Sequence, residues 1–358
     1  MDLDQSFWKN RRVFISGHTG FKGSWLCLLL NILGAKVAGF SLPPKPPQTI
    51  FDSLRIGEEV NSVYGDIRNY KNLHESIESF QPEIVIHMAA QSLVRHSYLF
   101  PLETYETNVM GTINLFESAR NINSVRSILN ITSDKCYENN ELNIPFEEND
   151  RLGGKDLYSS SKACSELLTN SYRHSFFNLN NYTEHGVGLA SARAGNVIGG
   201  GDWSDDRLVP DFFRAMENNQ QLVIRNPNAI RPWQHVLDPL CGYLLLLEHL
   251  FIDGSVYADA WNFGPKETNH RTSGWLISEL SKNVGYANIS IQEDEKSNPY
   301  ESNYLSLCSK KSFNMLGWNP KWDIFKAVNN VCSWHKAYKN NLDMNEYSKK
   351  QIMEYLDG

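Results

Sequence analysis

The sequence has few cysteines, and none of them stands in a Cys-x-x-Cys pair or at a paired histidine spacing. Those spacings are typical of structural zinc sites and of redox pairs. The sequence therefore predicts no metal centre, and its 6 cysteines indicate buried or incidental thiols in a reducing compartment. They are Cys27, Cys136, Cys164, Cys241, Cys308 and Cys332.

Long apolar runs and basic clusters are also absent. The leucine run at 244–247 is too short to span a bilayer, and residues 1–12 contain no apolar core of signal-peptide length. We therefore expect a cytoplasmic protein that does not contact a membrane. A net charge of -7 without a run of Lys and Arg argues against a nucleic-acid surface. We expect a small anionic ligand, bound by single arginines and backbone amides.

A strand, a glycine turn and a helix open the chain of 358 residues. The short apolar strand Arg12–Ser16 leads into Gly17-His-Thr-Gly-Phe-Lys-Gly23, and an apolar helix is predicted from Ser24 to Leu33. The spacing Gly-x-x-Gly-x-x-Gly is a variant of the dinucleotide-binding fingerprint. Glycines there allow a tight turn and close approach to a pyrophosphate, which the free N–H groups of the helix terminus bind. The alternative is a purely structural turn.

Short apolar strands alternate with helical stretches over the first half of the chain. This alternation predicts an α/β fold, a Rossmann doubly wound parallel sheet with helices on both faces. After about residue 195 the rhythm changes, which indicates a smaller, interleaved α/β substrate-binding domain. The predicted division is 1–195, completed by about 236–265, for the Rossmann domain, and 196–235 with 266–358 for the second. The tail 334–358 is interpreted as a solvated helix. Further predicted strands are 36–40, 61–64, 83–87, 125–131, 188–192 and 260–263.

Two segments carry candidate chemistry. Ser133-Asp134-Lys135 supplies an acid and a candidate base, and Tyr158 precedes Lys162 by four residues. On a helix that spacing places both side chains on one face, and a neighbouring ammonium lowers the pKa of a phenol. We expect a Tyr158 phenolate that takes a proton from a sugar hydroxyl. The alternative for the Tyr-x-x-x-Lys spacing is any solvated helix.

These motifs occur in a fixed order over nearly the whole chain. With them, the chain resembles the extended short-chain dehydrogenase/reductases that act on nucleotide sugars, and within them the branch that dehydrates CDP-glucose. The segments at 133–135 and 231–235 carry the resemblance to that branch. The full set is 17–23, 65–68, 87–91, 107–112, 132–137, 158–162, 193–203, 231–235 and 261–264.

The resemblance implies NAD as the cofactor. One feature departs from it, because the second strand ends in Gly39-Phe-Ser41 without the Asp or Glu that usually binds the adenosine ribose of NAD. Lys22 and Lys45 could attract the extra phosphate of NADP instead. We favour NAD, since a dehydratase recycles its cofactor within one turnover, and we expect it to bind less tightly than usual. The implied cofactor residues are Gly17, Thr19, Gly20, Phe21, Lys22, Gly23, Ser41, Asp66, Ile67, Ala89, Ala90, Gln91, Asn108, Tyr158 and Lys162.

The resemblance also implies a reaction. Tyr158 removes the C4 hydroxyl proton while NAD takes the C4 hydride, and Ser133 binds the C4 oxygen. Asp134 protonates the departing C6 hydroxyl, which requires a raised pKa. Lys135 removes the C5 proton, polarises the 4-keto oxygen or pairs with a substrate oxygen. The hydride then returns to C6, and the deoxysugar formed is expected to enter a cell-surface polysaccharide.

The implied substrate contacts lie mostly in the second half of the chain. Asn196 and Arg231 are candidates for the diphosphate and Arg207 is a weaker one, because guanidinium groups bind phosphate oxygens in pairs. His235 is either a nucleotide contact or a packed core histidine. Glu301 and Tyr304 are expected to close the sugar-nucleotide site.

Helices at 102–120 and 158–172 are the ones that pair in relatives, so we expect a homodimer. Leu115, Phe116, Leu167 and Leu168 could supply its apolar seam, although the same pattern suits helices packed on their own sheet.

Other functions remain open at this point. A nucleotide-sugar 4-epimerase needs the Tyr and Lys but no acid beside the C6 hydroxyl, and epimerases of this fold lack the Asp134-Lys135 pair. A 4,6-dehydratase for another nucleotide sugar has the same motifs. A dinucleotide-sensing binding protein usually loses the Tyr or the Lys, and both are present here.

Overall fold

The computed structural model describes residues 3–45, 47–224, 226–266, 269–286 and 302–358, with the backbone alone for 291–293. Within these residues the chain forms strands that alternate with helices. The strands are β1 Arg12–Ser16, β2 Lys36–Ser41, β3 Asn61–Tyr64, β4 Ile84–His87, β5 Ser127–Ile131, β6 Gly188–Ala194, β7 Val197–Ile198, β8 Leu222–Ile224, β9 Ile230–Pro232, β10 Gln234–His235, β11 Ala260–Phe263, β12 His270–Thr272 and β13 Ile291–Glu293.

Seven of these strands form the central sheet, in the order β11-β6-β5-β4-β1-β2-β3. All six neighbouring pairs are parallel. The inner strands are apolar on both faces because helices cover both, and every residue of β4 and β5 is buried. The strand order reverses between β1 and β4, and the crevice at such a switch point is where open α/β sheets bind ligands. The expected doubly wound parallel sheet is confirmed.

Helices follow most strands and pack on both sheet faces. The helices are α1 Gln5–Trp8, α2 Phe21–Ile32, α3 Ile50–Ser53, α4 Ile56–Glu59, α5 Tyr70–Phe80, α6 Val94–Leu99, α7 Pro101–Tyr105, α8 Gly111–Ala119, α9 Leu157–Ser175, α10 Tyr182–His185, α11 Leu208–Glu217, α12 Leu237–Ile252, α13 Gly254–Tyr257, α14 Ser273–Val284, α15 Lys310–Leu316, α16 Ile324–Lys339 and α17 Met344–Asp357.

The hydrophobic core has separate parts. One face of the sheet packs against α2, α12 and α17, and the other packs against α5 and α8. A further cluster joins α11, β8, α14 and α16 away from the sheet. This arrangement places the smaller cluster beside the carboxyl edge of the sheet, where the loops after β1, β4, β5 and β6 meet.

The tail differs from its prediction as a solvated helix. Trp334, Met344, Ile352 and Tyr355 are buried in the same core as α2 and α12. The error arose because the polar face of α17 dominates its sequence, while the few apolar residues supply the packing.

The helix expected over 102–120 is interrupted. A π turn at Glu106–Met110 separates α7 from α8, and Asn108 lies within it. Leu115 and Phe116 were expected at a dimer seam, and they are fully buried against the sheet instead. That part of the expectation is wrong, because the apolar stripe of α8 is used by the protein's own core.

Among the described residues, no helix is long and apolar enough to cross a membrane. No group of three or more His, Cys, Asp and Glu side chains in those ranges could hold a metal ion. All 6 cysteines are free thiols.

Candidate active site

A cleft of about 710 Å³ lies at the carboxyl edge of the sheet. Its wall combines the loops after β1, β4, β5 and β6 with residues of α11, β8 and β9. Most residues predicted for the site line it. They are Gly17, Thr19, Gly20, Phe21, Lys22, Gly23, Ser41, Asp66, Ile67, Ala89, Ala90, Gln91, Ser133, Asp134, Lys135, Tyr158, Lys162, Asn196, Arg207 and Arg231.

The glycine loop forms one end of the cleft. Gly17 has φ +83°, and a Cβ there would lie 2.7 Å from the backbone nitrogen of Ala89. A Cβ on Gly23 would lie 2.2 Å from the carbonyl oxygen of Gly17. Both positions therefore need glycine for the turn to close. No side chain caps the α2 amino terminus at Gly20, so the first N–H groups of the helix are available to an anion.

The sequence places no Asp or Glu at the end of β2. Hydroxyl groups lie there in the structure. The Ser41 and Thr19 hydroxyls are 2.8 Å apart, and Thr19 Oγ1 donates to the Leu42 carbonyl at 3.0 Å. Asp66 is the nearby acid on the cleft wall, and Arg68 binds both of its carboxylate oxygens. Those bonds lower the pKa of Asp66. At this end of the cleft the second strand therefore provides no carboxylate. The carboxylate that is nearby, that of Asp66, is already bound to Arg68.

Asn108 was expected to contact the cofactor, and its position does not support this. Its side chain is buried, accepts from the Gln91 N–H at 2.8 Å, and donates to the Gln91 carbonyl and the Ser161 hydroxyl, both at 2.9 Å. It is not part of the cleft wall. Asn108 instead ties the loop after β4 to α9 and so fixes where Gln91 stands.

His235 was proposed as a nucleotide contact or a core histidine. It is fully buried, and its ring meets Trp25 and Trp322 edge-on, with centroids 6.2 and 4.7 Å away. Burial lowers its pKa to about 3, which keeps the ring neutral. His235 is therefore a core histidine and not a nucleotide contact, because its ring packs against two indoles and is not part of the cleft wall.

The acid and the candidate base follow β5 in one short turn. Ser133 precedes the 3₁₀ turn Asp134–Cys136, and its Oγ accepts from the Lys135 N–H at 3.2 Å. The Ser133 hydroxyl donates to Asp134 Oδ1 at 3.0 Å. Ser133, Asp134 and Tyr158 line the same cleft.

Tyr158 and Lys162 come from the first turns of α9. Asp156 caps the amino terminus of the helix, and its carboxylate accepts from the Ser159 N–H at 2.9 Å. Four residues on from Tyr158, the Lys162 ammonium donates to the Ile131 carbonyl at 3.2 Å. This contact holds Lys162 against the end of β5, beside the acid turn.

Burial dominates the electrostatics of this group. It raises the pKa of Tyr158 to about 12 and raises the pKa of Asp134, while it lowers the pKa of Lys162 to about 8. The expected phenolate is therefore wrong for the free protein, because loss of hydration outweighs any help from Lys162. The raised pKa of Asp134 agrees with the requirement for an acid. Lys22, on the same cleft, has its pKa lowered to about 8 by burial and by Arg207.

The far wall of the cleft carries two arginines and several carboxylates. Arg231 is 3% exposed, lies on the cleft wall, and donates to the Ser302 carbonyl at 2.7 Å. Arg207 donates to Asp202 at 2.9 Å and to the Ser92 hydroxyl at 3.2 Å. Arg207 therefore joins the loop after β4 to the segment before α11. With Lys22, Lys135 and Lys162, these arginines surround a cleft in a protein whose net charge is -7.

The remaining substrate residues have different positions. Asn196 is on the wall, and its carbonyl accepts from the Gln234 N–H at 3.2 Å. Tyr304 is half-buried and lies off the wall, with its carbonyl accepting from the Asn139 side chain at 2.7 Å. Glu301 lies outside the described residues.

A buried ion pair behind the acid turn was missed at the sequence level. Glu166 accepts from Arg193 at 2.8 Å, from the Ser191 hydroxyl at 2.7 Å, and from Thr132. Arg193 also donates to the Tyr137 hydroxyl at 2.7 Å. Glu166 follows Lys162 by four residues, so the spacing that joined Tyr158 to Lys162 could have revealed it.

Residues 14–331 match the family described as GDP-mannose 4,6 dehydratase. A CDP-glucose 4,6-dehydratase of Salmonella typhimurium strain LT2 is 47% identical over 356 residues, which cover 99% of each chain. A UDP-glucose 4-epimerase of Halalkalibacterium halodurans is 24% identical, over 94% of this chain and 99% of the relative.

Solved structures share the fold at lower identity. A dTDP-glucose 4,6-dehydratase from Bacillus anthracis strain Ames, in complex with NAD, has a TM-score of 0.75 at 19% identity and covers 94% of this chain and 99% of its own. A UDP-glucose 4-epimerase from Thermus thermophilus, also with NAD, has a TM-score of 0.76 at 22% identity and covers 90% of this chain and 98% of its own. The chain belongs to the GDP-mannose 4,6-dehydratase family, within the extended short-chain dehydrogenase/reductases.

Proposed function

We propose that this protein is a hydro-lyase that converts CDP-glucose to CDP-4-keto-6-deoxyglucose with NAD. The observation that carries the proposal is the grouping of a buried acid, Asp134, with Tyr158 and Lys162 on one cleft. Oxidation at C4 needs the Tyr and Lys, and loss of the C6 hydroxyl needs an acid. An epimerase has no use for that acid.

NAD fits the observed glycine cradle. The closed turn at Gly17 and Gly23 and the uncapped α2 terminus suit a pyrophosphate. Ala89, Ala90 and Gln91 would line the path to the nicotinamide, with Tyr158 and Lys162 at its ribose. When bound there, NAD supplies an acceptor for the C4 hydride and later a donor to C6. The adenosine end, with Ser41 and an occupied Asp66, supports weaker binding than usual.

The protein's own groups then supply the proton chemistry. Ser133 orients the C4 oxygen, and Tyr158 receives the C4 hydroxyl proton once it has lost its own, which requires its pKa, about 12 in the free protein, to fall when the cleft is filled. The resulting ketone acidifies the C5 hydrogen. Asp134, whose pKa burial raises, delivers a proton to the C6 hydroxyl so that it leaves as water.

Lys135 lies half-buried in the same turn, so it is placed to serve C5 or the 4-keto oxygen. Exchange of the C5 hydrogen with deuterated solvent separates the two roles. If Lys135 is the base, Lys135→Gln stops exchange. If it only polarises the ketone, exchange slows and keeps its pH dependence.

The cations of the cleft support a diphosphate substrate. Arg231, Arg207 and Lys22 flank the acid turn, and they are charged side chains on the cleft wall. Guanidinium groups bind phosphate oxygens in pairs. The choice of CDP-glucose rests on the relative that is 47% identical. The product would be used to make a deoxysugar of a surface polysaccharide.

We also propose a homodimer formed by α6, α7 and α9. Leu99, Leu102 and Leu167 expose 73%, 78% and 57% of their surface on these adjacent helices. Leu167→Glu is expected to give a monomer in sedimentation, whereas Leu342→Glu, a 53% exposed leucine elsewhere, leaves the dimer intact. An unchanged dimer in the first variant would contradict this interface.

The two-domain division stays a proposal. The separate apolar cluster of α11, α14 and α16 supports a second unit at 196–235 and 266–358. Because α17 packs against α2, we assign the last helix to the Rossmann unit. The free cysteines support a reducing, cytoplasmic location.

The function is tested by incubating the protein and NAD with CDP-, dTDP- and UDP-glucose and with GDP-mannose. We expect CDP-glucose alone to lose one water and give the alkali-absorbing keto product. Tyr158→Phe should abolish this, whereas Tyr172→Phe, farther along α9, should not. Conversion without water loss would indicate an epimerase, and turnover of another sugar would correct the base. No conversion of any sugar would favour a dinucleotide-binding protein.

A further inference from the structure

Asn108 holds the far end of the loop after β4, and a second set of hydrogen bonds holds its near end. The Ser16 hydroxyl oxygen, at the end of β1, accepts from the Met88 N–H at 3.1 Å and from the Ala89 N–H at 3.3 Å. The same hydroxyl lies 2.7 Å from His87 Nδ1. The backbone at both ends of this loop is therefore bound by a buried side chain.

Hydrogen bonds continue from His87 to the π turn. His87 Nε2 lies 3.1 Å from Thr112 Oγ1, and the Thr112 hydroxyl donates to the Asn108 carbonyl at 2.7 Å. Burial lowers the pKa of His87 to about 3, so the ring is neutral. Its one N–H hydrogen is on Nε2, because the Ser16 oxygen already accepts from two N–H groups and donates its own hydrogen to Nδ1. Ser16, His87, Thr112 and Asn108 thus form one buried network in which each bond has a fixed direction.

The buried network also contacts the helix that carries Tyr158. Asn108 Nδ2 donates to the Ser161 hydroxyl at 2.9 Å, and that hydroxyl donates to the Tyr158 carbonyl at 2.7 Å. The Thr112 and Ser165 hydroxyls are 3.3 Å apart. The network therefore joins the loop after β4, which is proposed to line the path to the nicotinamide, to the first turns of α9. The spacing of these two elements would set the distance between the hydride acceptor and the sugar held at the phenol.

We propose that His87 and Thr112 are positioning residues for hydride transfer. They are 3% and 1% exposed and are not part of the cleft wall, so they act through the groups that they bind. A buried polar network whose members are all hydrogen-bonded is rigid, and this one fixes the loop after β4 against α9. Hydride transfer depends steeply on the separation of the reacting atoms, and a displacement of about 1 Å can cost about 10²-fold in rate. This inference rests on the proposed function.

The chain offers a matched pair of buried threonines for the test. Thr112→Val keeps the shape of the side chain and removes the hydroxyl that joins His87 to the π turn. Thr169→Val is the control, because the Thr169 hydroxyl also donates to the carbonyl four residues earlier, at 2.7 Å, and is fully buried. It also accepts from a second side chain, that of Asn130 on β5, at 2.8 Å. Both variants should therefore lose a similar free energy of unfolding, and only the first breaks the network.

The kinetic experiment compares these variants with NAD and CDP-glucose. Thr112→Val should lower kcat by about 10–10²-fold and change KM much less, because the cations proposed to bind the diphosphate are not part of the network. Hydride transfer should then limit turnover, so CDP-glucose with deuterium at C4 should show a primary isotope effect on kcat. Thr112→Ser keeps the hydroxyl and should restore the rate. Turnover equal to that of Thr169→Val, or slow turnover without an isotope effect, would overturn the proposal.

Two further variants break the network at other points and keep the proposal testable if Thr112→Val does not fold. Ser16→Ala and His87→Leu should each give the same fall in kcat and the same isotope effect. The Ser16→Ala, Thr112→Val double variant should be no slower than the slower single variant, because both changes interrupt one series of bonds. Additive losses would show that the two ends act separately and would contradict the network.

Hydrogen exchange of the protein without cofactor gives a readout other than turnover. The amide hydrogens of Met88, Ala89 and Gln91 should exchange slowly in the wild type and in Thr169→Val. They should exchange about tenfold faster in Thr112→Val, as expected when a buried hydrogen bond that restrains the loop is lost. Fast exchange in the wild type, or equal exchange in the two valine variants, would overturn the positioning. If exchange behaves as expected but the wild type does not dehydrate CDP-glucose, the proposed function has failed and the positioning of the loop has not.

Discussion

Replacing Glu166 with Gln is expected to destabilise the fold strongly and to shift the pH range of activity. Glu166 and Arg193 form a buried ion pair 2.8 Å long, with side chains only 2% and 4% exposed. The pair joins α9, which carries Tyr158 and Lys162, to β6 and to the end of β5 through Ser191 and Thr132. It is therefore placed to hold the two halves of the catalytic group in register.

The magnitude follows from burial. Removing one partner of a buried pair typically costs about 3–5 kcal/mol, because the other charge stays buried without compensation. Glutamine keeps the shape but removes the charge, and its amide hydrogens would face three donors. Exposed pairs contribute only about 0–1 kcal/mol. Arg120–Glu117 offers a matched comparison, since its 2.7 Å contact has 34% and 28% exposed side chains.

The assay is urea denaturation of Glu166→Gln beside Glu117→Gln. We expect a loss of about 3–5 kcal/mol in the free energy of unfolding for the first and under about 1 kcal/mol for the second. Comparable losses of unfolding free energy in the two variants would show that burial does not make the Glu166–Arg193 pair more important to stability than the exposed pair.

Activity gives an independent readout. Burial lowers the pKa of Lys162 to about 8, and the Glu166 carboxylate opposes that shift. Without the carboxylate the pKa of Lys162 should fall further. The alkaline loss of activity, where Lys162 gives up its charge, should then move to lower pH in Glu166→Gln. An unchanged alkaline limb would show that Glu166 does not support the charge of Lys162.

Three other changes test separate parts of the structure. Burial raises the pKa of Asp238 to about 7, so the folded state binds a proton that the unfolded state releases, and stability should fall as pH rises from about 4 to about 7. Unfolding followed against pH should show this loss, on the order of 4 kcal/mol, in the wild type but not in Asp238→Asn, and parallel curves would contradict it. Ser41→Asp should raise the ratio of NAD to NADP affinity by about tenfold in binding titrations, equivalent to about 1.4 kcal/mol, by supplying the missing ribose partner, and an unchanged ratio would place the ribose elsewhere. Gly195→Ala would bring a Cβ within 2.6 Å of Pro232 Cγ and 3.0 Å of Asp134 Oδ2, so calorimetry should show a loss of about 1–3 kcal/mol and product analysis a loss of dehydration. A fully active, stable alanine variant would contradict that packing.

Much of the sheet could be predicted because local patterns specify it. The strands Arg12–Ser16, Asn61–Tyr64 and Ala260–Phe263 begin and end as expected. Their residues are apolar runs bounded by turns, which a buried parallel strand requires. The glycine loop was equally readable, since Gly17 and Gly23 tolerate no side chain.

The errors concern properties that arise only from packing. The spacing of Tyr158 and Lys162 indicated a phenolate, yet burial sets the pKa of the phenol at about 12. Nothing near His235 in sequence shows that Trp322 covers its ring. Asn108, in the π turn, likewise accepts from the Gln91 N–H, a partner 17 residues away in the sequence. Burial and long-range partners determine these features, and a local sequence motif specifies neither.

The most direct test of the account is the fate of deuterium placed at C4 of CDP-glucose. The protein with NAD should give a 4-keto-6-deoxy product that has lost one water and carries the deuterium at C6, because the hydride removed from C4 returns within the same site. A product that has kept the C6 oxygen, or that has lost water without deuterium at C6, would contradict the proposed reaction.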